Sequence, residues 1–280
     1  MKAHPPIGIA HLTLLALAPP ELVTTAAAAG FDFVGVRVKA VTAGEHQYPM
    51  APGSPMARET LLRLSDTGLT VRDVEFLQIR PDTGPDDWMP ALDAGAALGA
   101  STFSVVGVDP DRGRLTATLA RLTADAAPYG IRPTLEPISY QPVSRVADAA
   151  AVAHAAGAAV LLDALHIQRG GSTLDDVRAL EPALVPCLQI CDGPLATPAS
   201  LELPARLPLG MTADGSVLQV EARALRQVPG EGEFPLGELL AAVPPGTPIS
   251  VEVPNAVLTA RLSPAAFATR NRRAVSELIG

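Results

Sequence analysis

Apolar residues fall into short β-branched runs separated by longer Ala/Leu-rich stretches of helical period, and the alternation repeats eight times along the chain. The runs are 7–14 (IGIAHLTL), 33–38 (FVGVRV), 70–77 (TVRDVEFL), 102–108 (TFSVVGV), 132–136 (RPTLE), 159–163 (AVLLD), 186–191 (PCLQIC) and 249–253 (ISVEV). Runs this short and this apolar fit strands of a parallel sheet covered on both faces. Helical spacing predicts segments at about 20–29, 56–67, 86–98, 113–128, 144–156, 173–181, 235–242 and 264–278. Their starts carry Pro19-Pro20-Glu21, Ser54-Pro55 and Ser263-Pro264, and several stop at glycine, the asymmetry of natural helix ends. Eight βα units in 280 residues predict one domain, residues 1–280, folded as an α/β single (β/α)8 TIM barrel. An open doubly wound sheet is disfavoured, because the turn after the first run, LLALAPPEL, lacks both G-x-G-x-x-G and G-x-x-x-x-G-K.

Polar residues within or just after those runs carry the chemistry. Glu136, Asp163, Gln189 and Glu252 sit at or near the ends of the fifth to eighth runs. Parallel barrel strands deliver such residues to one face, where neighbouring strands lie about 4.8 Å apart, so four oxygen donors can converge on one divalent cation. Three carboxylates and an amide oxygen are hard donors, which favour Mg²⁺ or Mn²⁺ over Zn²⁺. His166, three residues beyond Asp163, is placed to move a proton beside that ion. His11, Arg37, Glu75 and Arg80 are candidates to line the same mouth, with Arg37 and Glu75 equally able to form a structural ion pair. Arg80, Arg223 and Arg226 offer planar forks for a substrate carboxylate or phosphate, and Asp192 a partner for a substrate hydroxyl or a turn cap. Two long connections, 39–55 and 193–233, leave C-terminal strand ends and are expected to act as lids.

Composition narrows the partners. The formal charge of −8 repels a phosphate backbone, and aromatics at 4% leave few stacking platforms, so nucleic acid is not expected. A small polar hydroxylated substrate fits, and a homodimer is compatible with the sequence. Cys187 and Cys191 stand four apart on one run, about 13 Å in a strand, too far for a disulfide. The N-terminal stretch MKAHPPIGIAHLTLLALAPP has one lysine, and His11 and prolines interrupt it. No run approaches the roughly 18 apolar residues of a membrane span, and a cytoplasmic protein is expected.

Taken together, Glu136, the segment Asp163-Ala-Leu-His166, a ligand on the seventh strand and Glu252 resemble the xylose isomerase-like TIM-barrel superfamily over nearly the whole chain. That superfamily is also described as sugar phosphate isomerase/epimerase or AP endonuclease family 2. Its usual seventh-strand ligand is His, whereas this chain has Gln189. With Gln189, the segments LLDALH, LQICDGP, RQVPGEGEFPL and SVEVPN are most similar to the bacterial dehydroshikimate dehydratase branch. The resemblance implies metal ligation by Glu136, Asp163, Gln189 and Glu252, acid/base catalysis by His166, with Glu136 and Glu252 as further candidates, and substrate clamping by Arg80 and Arg226. A serine expected four residues before Arg226 is Ala222 here, and the loop between Asp192 and Glu221 is longer, which points to a bulkier or less polar substrate than dehydroshikimate. The AP endonuclease branch, with His-rich metal positions and a basic DNA-facing surface, fits worse. The expected activity is enolisation of a hydroxylated keto acid, keto sugar or cyclic polyol, by an isomerase/epimerase or a dehydratase (lyase). The alternative is a non-catalytic sugar-binding or complex-forming barrel.

Overall fold

The computed structural model describes residues 4–42, 44–205 and 207–280; Lys2 of the N-terminal stretch lies outside them. The strands are β1 (Ile7–Ile9), β2 (Phe33–Arg37), β3 (Thr70–Ile79), β4 (Thr102–Gly107), β5 (Arg132–Glu136), β6 (Ala159–Val160), β7 (Leu162–Asp163), β8 (Leu188–Ile190) and β9 (Ile249–Val251). Every pairing is parallel, in the order β6-β5-β4-β3-β2-β1-β9-β8-β7. Only Leu161 separates β6 from β7, and its N–H donates to the Leu135 carbonyl at 3.1 Å, so one broken stretch closes the cylinder. All six residues of β4 and all five of β2 are buried, as expected of strands wrapped by helices.

The helices are α1 (Pro19–Ala29), α2 (Pro55–Thr67), α3 (Pro85–Leu98), α4 (Arg112–Ala126), α5 (Val146–Ala156), α6 (Ala164–Gly170), α7 (Leu174–Arg178), α8 (Val217–Ala224), α9 (Leu236–Ala242), α10 (Ala256–Thr259) and α11 (Pro264–Ile279). Ser54 and Ser263 cap α2 and α11 by accepting from Ala57 and Ala266, and Pro55 and Pro264 take the first helical position, where no N–H is needed. The apolar stripe of α4 (Leu115, Leu119, Leu122) is fully buried against the barrel. Among the described residues no helix is long and apolar enough to cross a membrane, and Cys187 and Cys191 are free, buried thiols.

Three expectations change. The first apolar run is not one strand: after Ile9 the chain coils into a 3₁₀ turn, His11–Leu14, because tertiary partners claim it. The His11 N–H donates to Glu75, and the Thr13 hydroxyl bridges the Val251 carbonyl and the Val253 N–H. Helix α7 is confined to Leu174–Arg178, since a 3₁₀ turn opens at Pro182. Helices α6, α8 and α10 are additional, and α8 lies inside the connection that reads as a plain 193–233 loop.

Candidate metal centre and active-site cleft

The C-terminal strand ends surround a cleft whose empty space, open mouth included, is about 630 Å³. Glu136 ends β5, Asp163 ends β7, Gln189 is central in β8 and Glu252 follows β9. Register brings the last three side by side: Asp163 pairs with Gln189, Gln189 with Ser250, and the Glu252 N–H donates to the Ile190 carbonyl at 3.0 Å. All four side chains are buried.

Asp163 is both strand end and helix cap. Its Oδ1 accepts the His166 N–H at 3.0 Å, which starts α6 and turns the His166 ring toward Glu136. Ligand atoms of Glu136, Asp163 and His166 all lie within 4.8 Å of one another. His166 Nδ1 accepts the Ser139 N–H at 3.3 Å, so the neutral ring carries its hydrogen on Nε2, 3.8 Å from Glu136 Oε1. Tyr140 packs edge-on against the same imidazole at 5.8 Å. Neither Ser139 nor Tyr140 is distinguished in the sequence; both follow β5 by three and four residues and gain their places only when β5 and α6 meet.

Arg226 completes the floor. Its Nη1 donates to Asp163 Oδ2 at 2.6 Å, Nη2 contacts Glu252 Oε2 at 3.0 Å, and Nε donates to the Ala222 carbonyl at 2.9 Å. Gln189 Nε2 donates to the other Glu252 oxygen at 2.9 Å, because a carboxylate only accepts, and this leaves Gln189 Oε1 buried without a partner.

No family model and no curated relative matches the chain. Among solved structures it is similar to a xylose isomerase-like TIM barrel/4-hydroxyphenylpyruvate dioxygenase fusion protein, at 21% identity and a TM-score of 0.75. That alignment covers 99% of this chain, which spans 43% of the fusion protein. The IOLI protein with a binding zinc atom aligns at 14% identity and a TM-score of 0.70, over 98% of both chains. The probable 3-DHS dehydratase AsbF, involved in petrobactin synthesis in Bacillus anthracis, aligns at 13% identity and a TM-score of 0.71, over 97% of this chain and 98% of that one. The fold is the xylose isomerase-like TIM barrel.

Within this xylose isomerase-like barrel the electrostatics are unbalanced. Of three buried carboxylates two, Asp163 and Glu252, contact the one guanidinium of Arg226, Asp163 the more closely, and among the described residues Glu136 has no such partner. Burial works to raise the Asp163 carboxyl, but Arg226 and His166 outweigh it and hold it below the usual carboxylate value. Glu252 is pushed up to about 8, first by burial and then by Asp163 and Glu75, against the pull of Arg226. Burial and the charges of Glu252 and Asp163 push Glu136 well above its ordinary value. Burial holds His166 down to about 4. A cluster with excess acid and an unpartnered amide oxygen suits a hard divalent cation, and the donor types at Glu136, Asp163, Gln189 and Glu252 fit that group. Glu252 nevertheless stands outside the close Glu136–Asp163–His166 group and is tied to it through Arg226 and Gln189.

The other candidate residues separate into two sets. Arg223 and Arg226 line the cleft; His11, Asp192 and Arg80 do not. His11 is a backbone bracket: Nδ1 accepts the Arg37 N–H at 2.9 Å, Nε2 donates to the Leu17 carbonyl at 2.9 Å, and burial lowers its pKa to about 4. Asp192 is a loop organiser, with its carboxylate accepting from Gly193, Gly230 and Phe234 at 2.8, 2.8 and 2.9 Å. The glycine-rich turn 229–233 approaches Asp192 rather than the cleft, and a Cβ on Gly232 would lie 2.4 Å from Asp192 Oδ1. Arg80 is exposed at the rim, bonded to Gln78 beside a neighbouring groove that also holds Lys39. Arg37 and Glu75 form the ion pair at 3.2 Å, and Glu45 of the 39–55 connection reaches down to Arg37 at 3.0 Å. Gly35 is glycine for room here, since a Cβ would meet Glu75 Oε1 at 2.8 Å.

Both long connections cover the cleft. Val41 comes from one and Met211, Ala222 and Arg223 from the other, and the His46 N–H donates to the Leu209 carbonyl at 2.8 Å where they meet. Helix α8 is fixed to α6 by Arg169, whose guanidinium grips both Glu221 oxygens at 2.7 and 2.8 Å and lies 5.1 Å over the Phe234 ring. Arg169 also donates to the Pro194 carbonyl at 2.7 Å. Its sequence signal is its place one turn beyond His166, on the face that carries Asp163 and His166.

Proposed function

We propose that this chain is a divalent-metal-dependent enzyme that enolises a hydroxylated keto acid, keto sugar or cyclic polyol, with a dehydratase-type lyase favoured over an isomerase or epimerase. The observation that carries the reading is the set of three buried carboxylates around one arginine, with the Gln189 amide oxygen left unpartnered among them. Glu136, Asp163, Gln189 and Glu252 would hold Mg²⁺ or Mn²⁺, and the solved IOLI neighbour, which binds zinc, is consistent with a metal in this fold. When bound, such an ion polarises a substrate carbonyl and stabilises negative charge on its oxygen.

The protein's own groups do the proton work. Glu136 and Glu252 line the cleft and are placed to remove a proton from carbon. His166, oriented by Ser139, presents an Nε2–H to the cleft that can hydrogen-bond a departing β-hydroxyl, and it acts as its acid once the ring has taken up the proton removed from the substrate. Arg226 is already saturated by Asp163, Glu252 and Ala222, so its work is to hold two donor carboxylates in place. The apolar wall, with Phe76, Ile138, Met211 and Ala222, keeps water from the reacting carbons and favours a substrate less polar than a free sugar.

The test is a panel of keto sugars, inososes and 3-dehydroshikimate incubated in D₂O with Mg²⁺ or Mn²⁺ and followed by NMR, alongside metal analysis of protein purified without chelator. Solvent deuterium entering a carbon next to a carbonyl is the expected result. No exchange on any member, together with no retained divalent metal, would overturn the reading.

A further inference from the structure

Among the described residues the cleft has three guanidinium groups on its wall, and two are spent. Arg37 is paired with Glu75 and Glu45, and Arg226 with Asp163 and Glu252. Arg223, on the covering helix α8, is different. Among the described residues it makes no ion pair, and its Nη1 donates to neutral oxygens, the Thr212 carbonyl and Oε1 of Gln219 on its own helix, the latter at 3.1 Å. Asp214, the acid that feels its field, is exposed and accepts from Ser216 at 2.9 Å. The half-buried Tyr140 phenol is a further neutral hydrogen-bond partner of Arg223, so among the described residues the partners of this guanidinium are neutral oxygens and none is a carboxylate in direct contact. A half-buried cation held only by neutral groups, facing a cleft whose other described cations are neutralised, is a receptor for a planar anion.

We infer that Arg223 is the specificity-determining residue of the cleft and receives the carboxylate of an anionic substrate, so that the substrate class is a hydroxylated keto acid rather than a neutral keto sugar or polyol. The inference rests on the proposed enolising site and selects among its substrate classes. It also moves the anion contact from Arg80 and Arg226 to the C-terminal end of helix α8. Tyr140, beside both Arg223 and the His166 ring, places the carboxylate end of such a substrate close to the acid/base group. The neutral hydroxyls of a free sugar cannot balance the charge of this guanidinium, and a carboxylate can.

The experiment uses metal-free protein, so that it reads anion recognition without the metal chemistry. Calorimetric titration with 3-dehydroshikimate as probe is compared with its methyl ester, which keeps the ring and the ketone and removes the charge. The expected result is binding of the acid, at least about tenfold weaker binding of the ester, a similar loss for the acid in Arg223→Gln, and partial recovery in Arg223→Lys. Circular dichroism melting shows that the variants are folded. Equal binding of acid and ester, equal binding of the acid by Arg223→Gln, or no binding of the acid by the native chain would each overturn the inference. Anion binding that persists through Arg223 while no deuterium exchange occurs on any substrate would instead overturn the enolising reading and leave the anion receptor standing.

Discussion

Removing the metal and raising the pH should expose the excess acid in the barrel. In the metal-free protein Glu252 and Asp73 both have carboxyls pushed up to about 8, in each case chiefly by burial. An acid with a raised folded-state pKa contributes stability that is fully present below its unfolded value and is lost as pH rises through the folded one. His11 and His166, held down to about 4, act in the opposite sense, but only up to the unfolded histidine value near 6.5. The clean window is therefore pH 6.5 to 8. Across about 1.5 pH units, at about 1.4 kcal/mol per unit, each raised carboxyl costs about 2 kcal/mol as it is forced to ionise. Urea unfolding at several pH values in this window, after chelation, should show stability falling by about 2–4 kcal/mol. Saturating Mg²⁺ or Mn²⁺ should stabilise the protein and remove the share due to Glu252, while the share of Asp73, below the donors, should persist. A metal-free stability that is flat or rises from pH 6.5 to 8 would refute the claim that these carboxyls are protonated in the fold.

Three single substitutions test the individual parts. Glu252→Gln keeps the volume and removes a donor charge, so calorimetry should show weaker divalent binding, and unchanged affinity would remove Glu252 from the ligand set. His166→Asn should keep the bound metal and deuterium exchange at carbon while lowering turnover to the dehydrated product by about 10²–10⁴-fold, the usual contribution of an acid/base group; near-normal turnover would remove His166 from the leaving-group step. Glu221→Ala strips the Arg169 pair that ties α8 to α6 and should cost about 3–5 kcal/mol in urea unfolding, with a loss below 1 kcal/mol contradicting a buried, unreplaced charge.

Much of this was legible in the chain because strand ends announce themselves. The fifth strand has the same bounds in sequence and structure, Arg132–Glu136, and the acids at 136, 163 and 252 are readable as charges that close apolar runs. Roles set by tertiary partners were not. His11 looks like a strand residue facing a mouth, yet its two nitrogens are claimed by the backbone of Arg37 and Leu17, 26 and 6 residues away. Asp192 reads as a free carboxylate only until Gly230 and Phe234 return to it from about 40 residues on, across the covering segment. Helix α8 did carry a signal, Ser216 before apolar residues at 217, 220 and 224, but Pro- and Gly-rich sequence on its N-terminal side masks it. Helix α6 has seven residues, too few for a period to emerge, and only Asp163 as its cap marks it.

The placement of α8 divides labour along the gene. The oxygen donors lie on β5, β7, β8 and just after β9, in scaffold whose positions are dictated by barrel closure, whereas Met211, Ala222 and Arg223 lie in one contiguous segment between β8 and α9. A drift or exchange of that segment can change which molecule is admitted while every proton-handling group stays where it was. The constraint on such change is local and countable: a new cover must still present an acid to Arg169 and an arginine between Asp163 and Glu252. Descendants of this chain with altered substrates are therefore expected to vary between residues 194 and 225 and to keep Glu221 and Arg226.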